Sequence, residues 1–220
     1  MQVFKFGGAS VKSAENIKNV VSIVERYRDS SLLIVVSAIG KTTDKLVKVT
    51  ESYIKRDGAC FEHLESLKKE HFDILHELFP DHNHPVYDDI ANTFVEIEWI
   101  LEEDPQDDYD YLYDQIVSVG ELLSTKIVAA YSSYQGLATQ WVDARDFIMT
   151  DNTYREGKVD WEKTEEKIRK DLPSILDEYI VVTQGFIGST SENFTTTLGR
   201  EGSDYSAAIF AASLNAENIT

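Results

Sequence analysis

Leu32 to Val36 are five consecutive aliphatic residues, with no polar position among them. A run of strand length without alternation fits a strand covered on both faces, as in a parallel sheet with helices packed above and below it. It constrains the chain more than any other feature, because such a strand needs an apolar layer on each side and therefore an α/β fold. The flanking sequence fits that demand. Gln2 to Phe6 reads as a strand, Gly7 and Gly8 as a turn, and Ser13 as a helix cap before Ile17, Val20, Val21, Val24 and Tyr27, which recur at helical spacing. Beyond the aliphatic run, Ser37 to Thr43 turn into a helix carrying Leu46, Val47 and Ile54, so the first quarter is a βαβα unit.

From about Ala59 to Tyr134 the period is helical: Phe61, Leu64, Leu67, Phe72, Leu75 and Leu78, a break from Pro80 to Pro85, then Ile90 to Leu101 and Ile116 to Tyr131. This is a helical excursion from the sheet. Strands resume at Thr139 to Val142 and Tyr179 to Gln184, separated by a charged helix around Trp161 to Leu176. Gly185 and Gly188 mark a turn, a Ser/Thr-rich stretch follows, and Ser203 to Leu214 is small and apolar, as a helix packed closely on a sheet would be. With 220 residues, 42% of them apolar, the chain suits one domain with a sizeable core. No repeat or linker divides it.

A formal charge of −18 argues against nucleic acid or an anionic membrane as partner, since no basic run offsets the repulsion. The acid is uneven: nine carboxylates and no Lys or Arg lie from Glu96 to Asp114, which reads as a solvated helix end and loop. One cysteine, Cys60, rules out an internal disulfide and fits a reducing compartment, as a buried or incidental thiol. No basic region leads into a long apolar run, so neither a signal peptide nor a membrane span is expected and the predicted location is cytoplasmic. His71, His76, His82 and His84 surround Pro80 at spacings that fit no standard metal site, and they read as solvated helix and loop. Trp99, Trp141 and Trp161, with no basic residues between them, read as core or half-buried rather than as a base-stacking platform.

Three segments can carry chemistry. In Lys5-Phe6-Gly7-Gly8-Ala9-Ser10-Val11 a lysine at a strand end precedes two glycines and a helix, which offers a phosphate backbone N–H groups and a mobile cation. A purely structural βα turn explains the same glycines. Ser37-Ala38-Ile39-Gly40-Lys41-Thr42 imitates the end of a P-loop, but the opening glycine such a loop requires falls on Val35, inside the strand. A dinucleotide fingerprint fails too, because Gly7-Gly8-Ala9-Ser10 lacks its spacing. The third segment runs from Gly185-Phe186-Ile187-Gly188 through Thr195-Thr196-Thr197-Leu198-Gly199-Arg200-Glu201-Gly202-Ser203-Asp204. Here glycines flank an arginine just before an apolar helix, an arrangement suited to an anion. Asp204 alone also reads as a first-turn acid complementing the helix dipole, and Glu121 alone as a helical surface acid.

These residues together resemble the aspartokinases of the amino acid kinase family. Lys-Phe-Gly-Gly-Ala-Ser-Val is similar to the family's opening signature, and Ser37 to Asp44, Gly120-Glu121, Asp143-Ala144-Arg145 and Gly185 to Asp204 resemble the other blocks in the same order. The resemblance covers essentially the whole chain. It implies a three-layer α/β/α sandwich with a mainly parallel sheet and a helical excursion at 59–134. It also implies that residues 1–220 are an incomplete catalytic domain, without the C-terminal nucleotide-binding part and regulatory ACT domains, and that this piece alone is inactive. The implied reaction moves the γ-phosphoryl group of ATP to the β-carboxylate of L-aspartate, with Mg2+ carried by ATP and no protein metal site.

By the same resemblance Lys5, Gly7, Gly8 and Ser10 meet the ATP phosphates, with Lys5 stabilising the transferred group and Asp204 orienting Lys5. Thr43, Glu121 and Arg200 hold aspartate, Glu121 at its ammonium and Arg200 at a carboxylate, while Ser37 and Ser203 line the site. A homo-oligomer is implied for the full-length form. Glu201 departs from the family's usual glycine, and its side chain is expected to point to solvent from a backbone at negative φ, since an inward carboxylate would repel the substrate. The alternatives are a non-catalytic amino-acid-binding relative or a kinase of another amino acid such as glutamate.

Overall fold

The computed structural model describes residues 1–220. Its centre is a parallel sheet of β1 (Gln2–Phe6), β2 (Leu32–Val36), β3 (Thr139–Trp141) and β4 (Ile180–Gln184), in the spatial order β1-β2-β4-β3. β2 lies between β1 and β4, and all five of its residues are buried, which is the physical basis of the unbroken aliphatic run. Alternate side chains feed two separate cores. Phe4, Leu32, Ile34, Val36, Ile180 and Val182 enter one; Val3, Leu33, Val35 and Val181 enter the other. Against the first face pack α1 (Ala14–Glu25), α2 (Thr42–Lys55), α3 (Cys60–Leu78), α4 (Val86–Glu102), α5 (Tyr109–Val117) and α6 (Val119–Tyr134). The second face is covered by α7 (Trp161–Leu176) and α8 (Gly202–Leu214). The expected α/β/α layering and the helical excursion are both present.

Local signals placed several boundaries. Ser13 caps α1, its Oγ accepting from Asn16 N at 3.3 Å. The outer edge of β1 is also paired: residues 218–220 run parallel to it, with Lys5 N donating to Thr220 O at 2.8 Å and Thr220 N to Val3 O at 3.0 Å. No helix is long and apolar enough to cross a membrane.

Four features differ from the sequence reading. Gly188 does not mark a turn: it lies inside β5 (Ile187–Ser189), which forms a buried antiparallel pair with β6 (Thr195–Thr197) in the Ser/Thr-rich stretch. The acidic stretch contains a helix, α5, and its last acid, Asp114, is fully buried rather than solvated. His71 is buried also; its Nδ1 lies 2.9 Å from Leu67 O, and burial pushes its pKa below the ordinary imidazole range. Trp99, expected in or near the core, is 67% exposed.

Candidate active site

Parallel strands deliver their carboxyl ends to one edge of a sheet, where open α/β folds bind ligands. That edge is tied together here by the backbone: Ser37 N donates to Phe6 O at 3.0 Å, and Gly185 N to Val36 O at 3.1 Å. Above it opens a polar cavity of about 770 Å³. Lys5, Ser37, Thr43 and Glu121 line it from the earlier part of the chain, and Arg200, Ser203 and Asp204 from its later part. Residues separated by some 200 positions therefore share one space because β1 and the segment leading into α8 both end there.

Lys5 stands one residue before the end of β1, and its Nζ lies 2.8 Å from Oδ1 of Asp204 in the first turn of α8. This pair fixes the direction of the ammonium. Gly7 and Gly8 lie beside the cavity rather than in its wall. A Cβ added to Gly8 would come within 2.6 Å of Ala38 O, so the glycine lets the first βα turn pack on the second, where Gly40 N donates to Gly8 O at 3.0 Å. Ser10 N is engaged by Gly7 O at 2.8 Å, within a short 3-10 turn (Gly8–Val11), and α1 begins only at Ala14. The first helix therefore starts after Ser13, the cap the sequence reading gave it, and the short 3-10 turn separates its N-terminus from the glycines.

Glu121 is brought in by the close approach of α6 to α2. A Cβ on Gly120 would meet Thr42, Ala38 and Leu46 side chains at 3.1 to 3.2 Å, so glycine there lets the helix seat against the second βα turn. Glu121 is then buried, with Oε1 accepting from Ala38 N at 3.3 Å and Oε2 without any partner. Burial pushes its pKa up to about 8, against the pull of the backbone N–H groups. A buried carboxyl with a free oxygen beside a polar cavity is suited to a cationic ligand group such as an ammonium.

Arg200 is 95% exposed at its side chain and has only Glu201 nearby, Nε to Oε1 at 3.9 Å. Its guanidinium is free to take an anion. The Glu201 side chain is 76% exposed to solvent, and the residue also lies in the cavity lining. Its backbone does not follow the expectation: φ is +59°, the left-handed region, not negative. The residue caps α8 at its start, and the chain must turn there so that Gly202 can pass Phe186, whose ring would lie 2.7 Å from a Cβ on Gly202. Glycine is the unstrained residue at position 201 for this reason, and glutamate carries about 1–2 kcal/mol of backbone strain.

Several lining residues gave no sequence signal. Asp110 and Tyr113 reach the cavity from α5, and Thr153 to Glu156 from the loop before α7; Phe186 and Thr197, already inside the third sequence segment, reach it from around β5 and β6. Buried Asp114 joins these parts, accepting from Arg155 N at 2.8 Å, Thr197 N at 2.9 Å and Thr197 Oγ1 at 2.7 Å. Burial raises its pKa while those donors pull the other way. Only an aspartate at the end of a charged run marks it in the sequence, and the sequence does not show which donors it meets.

Fold and site together define an α/β protein with a polar cavity at the carboxyl edge of a parallel sheet. The chain belongs to the amino acid kinase family, whose model matches residues 1–220. It is similar to the lysine-sensitive aspartokinase 3 of Escherichia coli strain K12, with 33% identity over 219 residues, 99% of this chain and 47% of the relative. The solved structure of E. coli aspartokinase III in complex with aspartate and ADP superposes with a TM-score of 0.90 at 32% identity, covering 100% of this chain and 48% of that one. Clostridium acetobutylicum aspartate kinase gives a TM-score of 0.79 at 26% identity, covering 100% and 46%. The chain spans about half the length of these relatives.

Proposed function

We propose that residues 1–220 are the front part of an aspartokinase catalytic domain, which transfers the γ-phosphoryl group of ATP to the β-carboxylate of L-aspartate. The observation that carries this reading is Glu121: a buried carboxyl with one unpartnered oxygen, in the cavity that also holds Lys5 and Arg200. An acceptor with an ammonium and two carboxylates matches that set. The aspartokinase relatives, one of them solved with aspartate and ADP, support the same acceptor and nucleotide.

The β-carboxylate is already ionised near neutral pH, so the transfer needs no general base. Its difficulty is bringing an anion onto a polyanion, which positioning and charge neutralisation overcome. Lys5 is assigned to the transferred group; its pairing with Asp204 already directs the ammonium, so its charge needs little reorganisation in the transition state. Glu121 takes the ammonium and Arg200 a carboxylate, with Thr43, Ser37 and Ser203 completing the wall. In this reading Gly7, Gly8 and Ser10 meet the ATP phosphates. Magnesium would come with the nucleotide and neutralise part of its phosphate charge; Asp204 is paired with Lys5.

The test uses the full-length natural protein with ATP and, in turn, L-aspartate, L-glutamate and N-acetyl-L-glutamate, following ADP and trapping the acyl phosphate as its hydroxamate. Aspartate alone should support both signals. Lys5→Ala should lower kcat roughly 100-fold or more with a smaller change in aspartate KM. Preference for another acceptor, or no turnover with any of them, would refute the assignment.

A further inference from the structure

We propose that Arg155 is a second arginine for the acceptor, binding its non-reacting α-carboxylate beside Arg200; this rests on the aspartokinase reading. Arg155 lines the same cavity as Lys5, Glu121 and Arg200. Its position is fixed from several directions. The backbone N donates to buried Asp114 at 2.8 Å, and the guanidinium lies over the rings of Tyr113 and Tyr109, 4.6 and 5.6 Å from their centroids. Nη1 donates to Asp110 Oδ1 at 3.2 Å, an exposed acid at the cavity. The other guanidinium N–H groups have no protein partner, which leaves donors for a ligand.

Two further observations point to a ligand role. Arg155 holds a φ of +66°, which residues other than glycine rarely adopt, so this position keeps a large cation where the backbone favours glycine. Its loop also rests on the turn that precedes Arg200: a Cβ on Gly199 would meet Arg155 O and Glu156 Cγ at 3.3 Å. The two arginines therefore enter from one side of the cavity, and Asp114 ties the Arg155 backbone to Thr197 in the strand leading to Arg200. Lys5, held by Asp204, supplies the positive charge for the phosphoryl group and the carboxylate that receives it. That leaves the paired arginines for the carboxylate that does not react. Arg200 is unconstrained, whereas Arg155 is pre-organised by stacking, which lowers the entropy lost on binding.

The experiment compares wild type with Arg155→Gly in the full-length protein, measuring kcat and KM for L-aspartate and the competitive inhibition constant of L-aspartate α-amide. Glycine suits the positive φ, so the variant should fold, and its melting temperature is checked by circular dichroism. Arg155→Gly should raise aspartate KM tenfold or more, with kcat changed less than threefold and the α-amide constant changed less than threefold. A merely structural arginine would move both constants together. Arg155→Lys should recover only part of the loss, because an ammonium lacks the planar fork. An unchanged aspartate KM, a fall in kcat alone, or equal weakening of aspartate and its amide would overturn the proposal. If wild type itself shows no aspartate-dependent ADP formation, the aspartokinase reading fails instead, and this inference falls with it.

Discussion

A carboxyl group stripped of water holds its proton until a cation arrives, and Glu121 is in that position. With a pKa raised from 4.5 to about 8, it is mostly protonated at pH 7 in the free protein. Capture of an ammonium favours the ionised form, so aspartate binding at pH 7 should release close to one proton. Titration calorimetry in buffers of different ionisation enthalpy measures this directly, and Glu121→Gln should abolish the release. The same shift sets a stability sign. The folded pKa lies above the unfolded value, so the penalty is absent below about pH 4.5, grows as pH rises and is complete above about pH 8. Glu121→Gln should therefore gain stability relative to wild type across that window, as urea denaturation at several pH values would reveal. Glu201 supplies a second test at this scale. Glu201→Gly removes left-handed strain from an exposed position, and a net gain of up to about 1 kcal/mol is expected, with kcat/KM for aspartate changed less than about threefold. A tenfold gain in kcat/KM would mean that the carboxylate faces the substrate.

At the scale of elements, α5 decides the shape of the cavity. Three of its residues act together: Asp110 and Tyr113 position Arg155 from the cavity side, and Asp114 pins the Arg155 loop and β6 from beneath. Asp114→Ala would leave the Arg155 and Thr197 N–H groups unpaired in a largely buried space, at a cost of about 2–4 kcal/mol. Chemical denaturation should show that loss, together with a higher aspartate KM because the loop and β6 are no longer tied. Asp114→Asn keeps an acceptor oxygen and should lose less. The helix was hidden in the sequence because it has few aliphatic residues and sits in the acidic stretch, where composition suggests solvent. Gly120, by contrast, was visible beside Glu121, though the space around it was not.

Across the whole molecule, two cores share one sheet, and the site forms where the sheet ends. The cavity gathers Lys5, Arg155 and Arg200 out of a chain of net charge −18, and sets them among Asp110, Glu121, Glu156, Glu201 and Asp204. Each cation has an acid companion: Asp204, Asp110 and Glu201 respectively. The sequence by itself determined the layered class, the parallel strands and most helices, because burial on two faces and helical periodicity are local patterns that survive in one dimension. It also marked Lys5, Glu121, Arg200 and Asp204 as members of ordered blocks. Only the tertiary structure decided that Asp114 is buried, that position 201 has positive φ, and that Arg155 stacks on α5 beside the turn leading to Arg200. Those facts depend on which donors, rings and backbones meet across distant segments. Residue type and spacing carry no record of such meetings, so packing had to supply them.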